Sequence, residues 1–280
     1  MDGDPTSRDS QQCAGRGRGV LYPARLPTFR RVSSPPAVAD LVRWFWIPEW
    51  DLPDGRASRQ HLIAFPALNL VVERGDLAPP DMVGLSGPTT RASYRDLTGR
   101  GWAVGALLRP AAVPLFTKDP LALVDQYLAL ALPELRNPVV KAMCGQGPAQ
   151  QRHSRSVDAF TTWLADRGPA PDEEALLANR LADVIDLDRE VLRVQDAAVQ
   201  VGVSVRTVQR LARRYLGVSV GALIRRRRLQ EAAERLRFDA TLDIATLAAE
   251  LDYSDHAHLT RDFRTTLGIT PSRYRGDAAG

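Results

Sequence analysis

The sequence predicts an α+β protein of two domains: a mainly β N-terminal domain with a few helices, then an all-α domain with two helix-turn-helix units joined by a long helix. Three observations carry this. Residues 26 to 118 hold short apolar runs broken by Pro and Gly, as strands and turns require. After TKDP at 117–120 the apolar period lengthens toward that of helices. The last third of the chain repeats itself at an offset of about fifty residues, which marks a duplicated structural unit.

Taken in order, residues 1–25 carry Gly, Arg, Ser, Gln and Asp with little to bury and are expected to be a disordered tail. The runs LVRWFWI, HLIAFPALNLVV and GWAVGALL, separated by turn signals such as LPDG and ERGD, read as strands. LALVDQYLALAL at 121–132 and SVDAFTTWLADR at 156–167 both fit helices. Residues 26–166 read as one domain, mainly β and then helical. RGPAPDEE is read as a linker, taken over 167–175, and its acidic residues suit a helix start. A helical domain then fills 176–276, with a short tail at 277–280.

Within that domain Val194, Ala198, Val201 and Gly202 recur as Ile244, Ala248, Leu251 and Asp252, fifty residues on. The offset then becomes fifty-one: Val208, Gln209 and Arg210 match Leu259, Thr260 and Arg261, and LGVS matches LGIT. Each copy reads helix, turn, helix. Val208, Leu211, Ala212 and Tyr215 follow helical spacing as a packing stripe, while Arg206, Gln209, Arg210 and Arg213 form an outer row. The second copy's outer row is Ala257, Thr260, Arg261 and Arg264. Ser204 is the expected N-cap of the first ridge helix, and Asp255 or Ser254 of the second. A polar, partly basic helix ridge fits the major groove of double-stranded DNA, where Arg bonds guanine and Gln bonds adenine in bidentate fashion.

Between the copies VGALIRRRRLQEAAERLR places Ala222, Leu229, Ala232, Ala233 and Leu236 on one face. At 1.5 Å per residue it is long enough, at roughly 27 Å, to set two ridges about one DNA turn apart. Its four consecutive arginines lie about 100° apart around the helix and cannot all face one partner, and Arg227 or Arg228 is placed to pair with Glu231.

Composition narrows the function classes. The 280 residues carry a net charge of +4, and residues 190–276 alone hold 15 Arg against 10 acidic residues, so the positive excess sits in the helical third. No apolar run approaches the roughly 18 residues of a membrane span, and the N-terminus is polar, so no membrane partner and a cytoplasmic location are expected. Cys13 and Cys144 make neither a disulfide framework nor a zinc cluster. A metal oxygenase would need a clustered His set where this chain offers His61 and, far away, His153; His256 and His258 face apart on a helix. Cys144 lacks a His partner and an activating turn for nucleophilic chemistry. The expectation is a non-enzyme with no cofactor and no metal. Trp44, Trp46 and Trp102 are weak candidates for lining an effector pocket.

The C-terminal third, about residues 178–276, resembles the DNA-binding domain of AraC/XylS-type transcriptional regulators. The resemblance rests on the two helix-turn-helix copies, on the pattern at Arg228, Leu229, Ala232 and Leu236, and on the closing LGITPSRYR at 267–275. It implies base contacts at Arg206, Gln209, Arg210, His256, Ala257, Thr260 and Arg261, and phosphate contacts at Ser204, Thr207, Arg213, Ser254 and Arg264. It also implies a cupin-like N-terminal domain, and as partners double-stranded DNA, RNA polymerase, a small-molecule effector and a second copy of the chain. One departure stands out: the second turn carries Asp252 where the family usually has Gly. The rival reading is a protein-interaction protein whose basic ridge is merely solvated.

Overall fold

The computed structural model describes residues 28–62, 66–75, 81–91, 93–239 and 241–278; the tail expected over 1–25 lies outside them. Among the described residues the N-terminal part holds eight strands, β1 (Thr28–Ser33), β2 (Val42–Asp51), β3 (Ala57–Leu62), β4 (Asn69–Arg74), β5 (Met82–Ser86), β6 (Ser93–Thr98), β7 (Arg100–Leu108) and β8 (Tyr127–Leu130). Six form one antiparallel sheet in the order β1-β2-β7-β4-β5-β8, and β3 pairs with β6 as a separate ribbon.

Strand β7 explains why GWAVGALL is a continuous apolar run rather than an alternating one. It is central, and every residue after Arg100 is buried, so both faces need apolar side chains. One face, with Trp102, Val104 and Ala106, packs with Phe45, Ile47 and Leu70 under helices α1 (Pro133–Met143) and α2 (Ala149–Ala165). Phe160 of α2 meets Phe45 edge-on at 5.8 Å between centroids. On the other face Gly105 makes room for an aromatic ring, since a Cβ there would lie 2.1 Å from Trp46. A register shift between Val42 and Trp44 acts as a β-bulge and brings Val42, Phe45 and Ile47 to the same core despite their uneven spacing.

Residues 121–132 depart from the helix their apolar spacing suggests. Pro120–Leu123 make a short 3-10 turn, Asp125 turns the chain at φ +57°, and Tyr127–Leu130 continue as edge strand β8 on β5. Two forces win over the local pattern. The ladder to β5 satisfies the backbone of β8, and the Asp125 carboxylate accepts both the N–H (2.7 Å) and the hydroxyl (2.5 Å) of Thr90. Cys144 caps the C-terminus of α1 and is exposed.

The helical part follows the repeat. Helix α3 (Glu173–Leu187) starts inside the stretch read as linker, because the Asp172 carboxylate accepts the Ala175 N–H at 2.7 Å. The chain continues with α4 (Val194–Val201), α5 (Val205–Leu211, extended by a π turn over Ala212–Leu216), α6 (Val220–Phe238), α7 (Ile244–Glu250), α8 (His256–Leu267) and α9 (Pro271–Ala278). Two separate apolar cores result. One joins α3, α4, α5 and the start of α6 through Leu181, Val208, Leu211 and Tyr215. The other joins the end of α6 to α7, α8 and α9 through Leu236, Leu247, Phe263 and Tyr274.

Helix α3 also docks on the N-terminal domain. The Asn179 side chain, 3% exposed, accepts the Ala111 N–H and donates to the Asp40 carbonyl, each at 2.9 Å. Arg43 pairs with Asp186 and Arg109 with Asp183 across the same junction.

Candidate nucleic-acid interface

In the first unit Gly202 turns the chain at φ +75° between α4 and α5, a backbone region only Gly enters freely. Ser204 then accepts the Thr207 N–H at 3.1 Å and caps α5. Val208, Leu211, Ala212 and Tyr215 are all buried, which leaves Arg206, Gln209, Arg210 and Arg213 as an exposed outer row. Beneath Arg213 and Arg214 the helix widens into the π turn, with Gly217 N–H bonding the Ala212 carbonyl at 3.1 Å. Gly217 lies so close to the N-terminal domain that a Cβ there would sit 2.6 Å from the Pro120 carbonyl oxygen.

The second unit repeats this with one substitution. Asp252 occupies the Gly position at φ +57°, so the left-handed turn is kept at some strain. We expect Asp252→Gly to stabilise the second unit by up to about 1 kcal/mol. Thermal unfolding checks this, and a lowered midpoint would show that the Asp252 side chain itself holds the turn. Asp255, rather than Ser254, caps α8 by accepting the His258 N–H at 2.7 Å, and that bond holds its carboxyl below the ordinary aspartate range. His256, Ala257, Arg261 and Arg264 are exposed and Thr260 is half-buried, again along one outer row. His258, half-exposed, lies edge-on to Tyr253 at 5.1 Å and is bonded through Nδ1 to the Ser254 hydroxyl at 3.2 Å.

The residues expected at phosphates lie at the borders of these rows. Ser204 and Thr207 share a hydrogen bond at 3.0 Å at the start of α5, and Ser254 sits just before α8. Glu174 is a functional candidate that the sequence shows only as part of an acidic helix start. Its carboxylate lies 2.7 Å from Arg210 Nη1 and 3.2 Å from Arg214 Nη1. Spacing along one helix could not reveal a partner 36 and 40 residues away.

The three tryptophans do not share a pocket. Trp102 lies in the core beneath α1 and α2. Trp44 and Trp46 point to the opposite face of the sheet, by strand alternation. Trp44 is stacked by the guanidinium carbons of Arg31 (4.2 Å) and Arg43 (5.2 Å), and Trp46 donates to Asn69 at 3.2 Å. The bulge at Val42/Trp44 flips the face of the neighbouring residues, which the run LVRWFWI alone does not disclose.

Comparison with known proteins agrees with this layout. A helix-turn-helix domain family matches residues 197–277, and a domain of unknown function, DUF6597, matches residues 30–129. The transcription factor PqrA of Proteus vulgaris, described as probable, is 30% identical over 86 residues, which cover 31% of this chain and 70% of PqrA. The chain belongs to the AraC/XylS-type family of transcriptional regulators. Its AraC-type part also matches the transcriptional activator AarP of Providencia stuartii, 33% identical over 84 residues. That match covers 30% of this chain and 62% of AarP, so the chain spans less than two thirds of that relative. Among solved structures, ToxT of Vibrio cholerae aligns over 84% of this chain and 99% of its own at 9% identity, with a TM-score of 0.45. No helix among the described residues is long and apolar enough to cross a membrane.

Proposed function

We propose that this AraC-type protein is a sequence-specific DNA-binding transcriptional regulator, non-enzymatic and cytoplasmic, whose helices α5 and α8 read two successive major-groove segments. One observation carries the reading: two capped helices, each buried along one stripe, both turn a polar, partly basic row outward. Helix α6, with 19 residues, is about 28 Å long, a span that suits two reading heads one DNA turn apart. By this reading Arg206, Gln209, Arg210, His256, Ala257, Thr260 and Arg261 face bases, and Ser204, Thr207, Arg213, Ser254 and Arg264 face phosphates. The N-terminal domain controls the reader through an effector or through dimerisation, a role supported by the side-chain bonds and ion pairs that tie it to α3.

The test is selection of bound duplexes from a random pool at near-physiological salt. Two short blocks about one helical turn apart are expected; no enrichment by the full chain or by residues 172–280 would favour the protein-interaction reading.

Glu174 is expected to act on discrimination. Its carboxylate holds Arg210 and Arg214 in the DNA-free protein and sits where phosphates would approach. Both arginines are more than half exposed, so the pairs are weak, about 0 to 1 kcal/mol. Glu174→Gln is therefore expected to tighten non-specific binding by about two- to five-fold and to narrow the gap to the selected duplex. Competition titration against random-sequence DNA measures it, and an unchanged gap would remove Glu174 from the interface.

A further inference from the structure

Of the two histidines at the start of α8, His256 lies on the outer row and His258 stands beside it, between two polar groups. Its Nδ1 is 3.2 Å from the Ser254 hydroxyl, and its Nε2 is 3.8 Å from Oδ2 of Asp262, one helical turn further on. That Asp262 oxygen is buried and has no hydrogen-bond partner among the described residues. Arg225 of α6 approaches the same oxygen, with its Nε 3.7 Å away.

The other groups that face the ring hold one charge state near neutral pH. Burial pushes the Tyr253 hydroxyl up to about 12, so it stays neutral, and Arg228, stacked on Tyr253 at 4.2 Å, stays a cation. Asp255 accepts the His258 N–H, which holds its carboxyl below the ordinary range and keeps it an anion. Histidine is the side chain that ordinarily changes charge between pH 5 and 8.

The two charge states of the ring use Ser254 differently. A neutral imidazole has one N–H and one lone pair. With Asp262 on the Nε2 side the N–H belongs on Nε2, because a lone pair there would face a carboxylate. Nδ1 is then an acceptor, and it draws the Ser254 hydroxyl proton toward itself. An imidazolium carries an N–H on both nitrogens. Nδ1 then donates to Ser254 Oγ, and the hydroxyl proton must point elsewhere. Within the protein it finds Asp255 Oδ2 at 3.3 Å, longer than an ordinary O–H···O bond. A phosphate arriving at the exposed Ser254 offers a better acceptor.

We propose that His258 is a proton-controlled positioning residue of the second reading head: once protonated, it turns the Ser254 hydroxyl toward a DNA phosphate, so this head binds more tightly as pH falls. The proposal rests on the reading of α8 as a DNA-facing helix with Ser254 at a phosphate. The proton comes from water, and the imidazolium it forms gives the buried Asp262 oxygen a charged neighbour. The first unit has no such device. Fifty-one residues before His258 and Asp262 stand Thr207 and Leu211, and residues 190–217 hold no histidine. Lower pH therefore strengthens one head and leaves the other unchanged.

The test is titration of full-length protein with its selected duplex from pH 8 to pH 6 at constant ionic strength, beside a duplex whose second block is scrambled. Affinity for the selected duplex is expected to rise by about three- to ten-fold over this range, and affinity for the scrambled one to change far less. His258→Gln is expected to flatten the profile. Ser254→Ala is expected to lose at least about half of the rise, the remainder being the charge of the imidazolium itself. Asp262→Asn removes the anion that favours the imidazolium, so the rise should begin at lower pH. His256→Gln is expected to keep the profile even where it weakens binding. A profile unchanged in His258→Gln, or lost in His256→Gln instead, would overturn the proposal. A full rise in Ser254→Ala would overturn it too, by showing a charge effect without positioning. Binding by the parent protein that does not vary with pH would remove the proton control alone, whereas no duplex bound at any pH would overturn the DNA reading and the proposal with it.

Discussion

Alanine at both Arg210 and Arg261 is expected to reduce affinity for the selected duplex by about 2 to 6 kcal/mol, with far less effect on random-sequence DNA. Each arginine sits on the exposed row of its own helix and can present its fork to guanine O6 and N7, an interaction worth about 1 to 3 kcal/mol of discrimination. The two positions lie on separate units joined by a 19-residue helix, so their losses should add. Arg213→Ala supplies the contrast. Removing a cation that faces phosphate should weaken binding to all sequences alike and reduce the salt slope by about 1. Equal losses on specific and random DNA for the double variant would sink the assignment of bases to these arginines.

Phe263→Ala is expected to cost the second unit about 3 to 5 kcal/mol and to convert the protein from a two-block to a one-block reader. Phe263 is fully buried, lies 5.8 Å from the Tyr274 ring, and sits among the residues that join α6, α7, α8 and α9. That core is separate from the one around Leu211 and Tyr215, so the first unit should keep its packing. Hydrogen exchange would then rise over residues 241–278 and remain low over residues 194–216. Selection from a random pool with this variant should enrich one short block. Exchange rising equally in both units would mean that α6 couples them into one cooperative block, and the picture of two independent reading heads would fail.

Much of this architecture follows from local rules. The repeat places Ser204 at a cap and Val208, Leu211, Ala212 and Tyr215 in a core because helical periodicity and N-capping depend on residues three and four apart. Asp252 adopts the left-handed turn that its alignment with Gly202 requires. Where the sequence misleads, a distant partner decides. The apolar stretch 121–132 has helical spacing, yet β5 offers β8 a backbone ladder, and Thr90 fixes Asp125 from 35 residues away. The tryptophans of β2 and β7 look like one aromatic set, and a bulge together with strand alternation puts them on opposite faces of the sheet.

The amino-acid sequence by itself determined the two-part organisation, the duplicated helix-turn-helix, and which side of each ridge helix is polar, since all three are written in interactions between near neighbours along the chain. Only the tertiary structure decided which charges far apart in the chain are matched. Glu174 meets Arg210 and Arg214, Asp183 and Asp186 meet arginines of the N-terminal domain, and Arg226, one of four consecutive arginines, is carried into an apolar junction without an ion-pair partner among the described residues. The reason is physical: the cost of a charge depends on the dielectric and the opposite charges around it, and both are set by segments that the fold brings together from far apart in the chain.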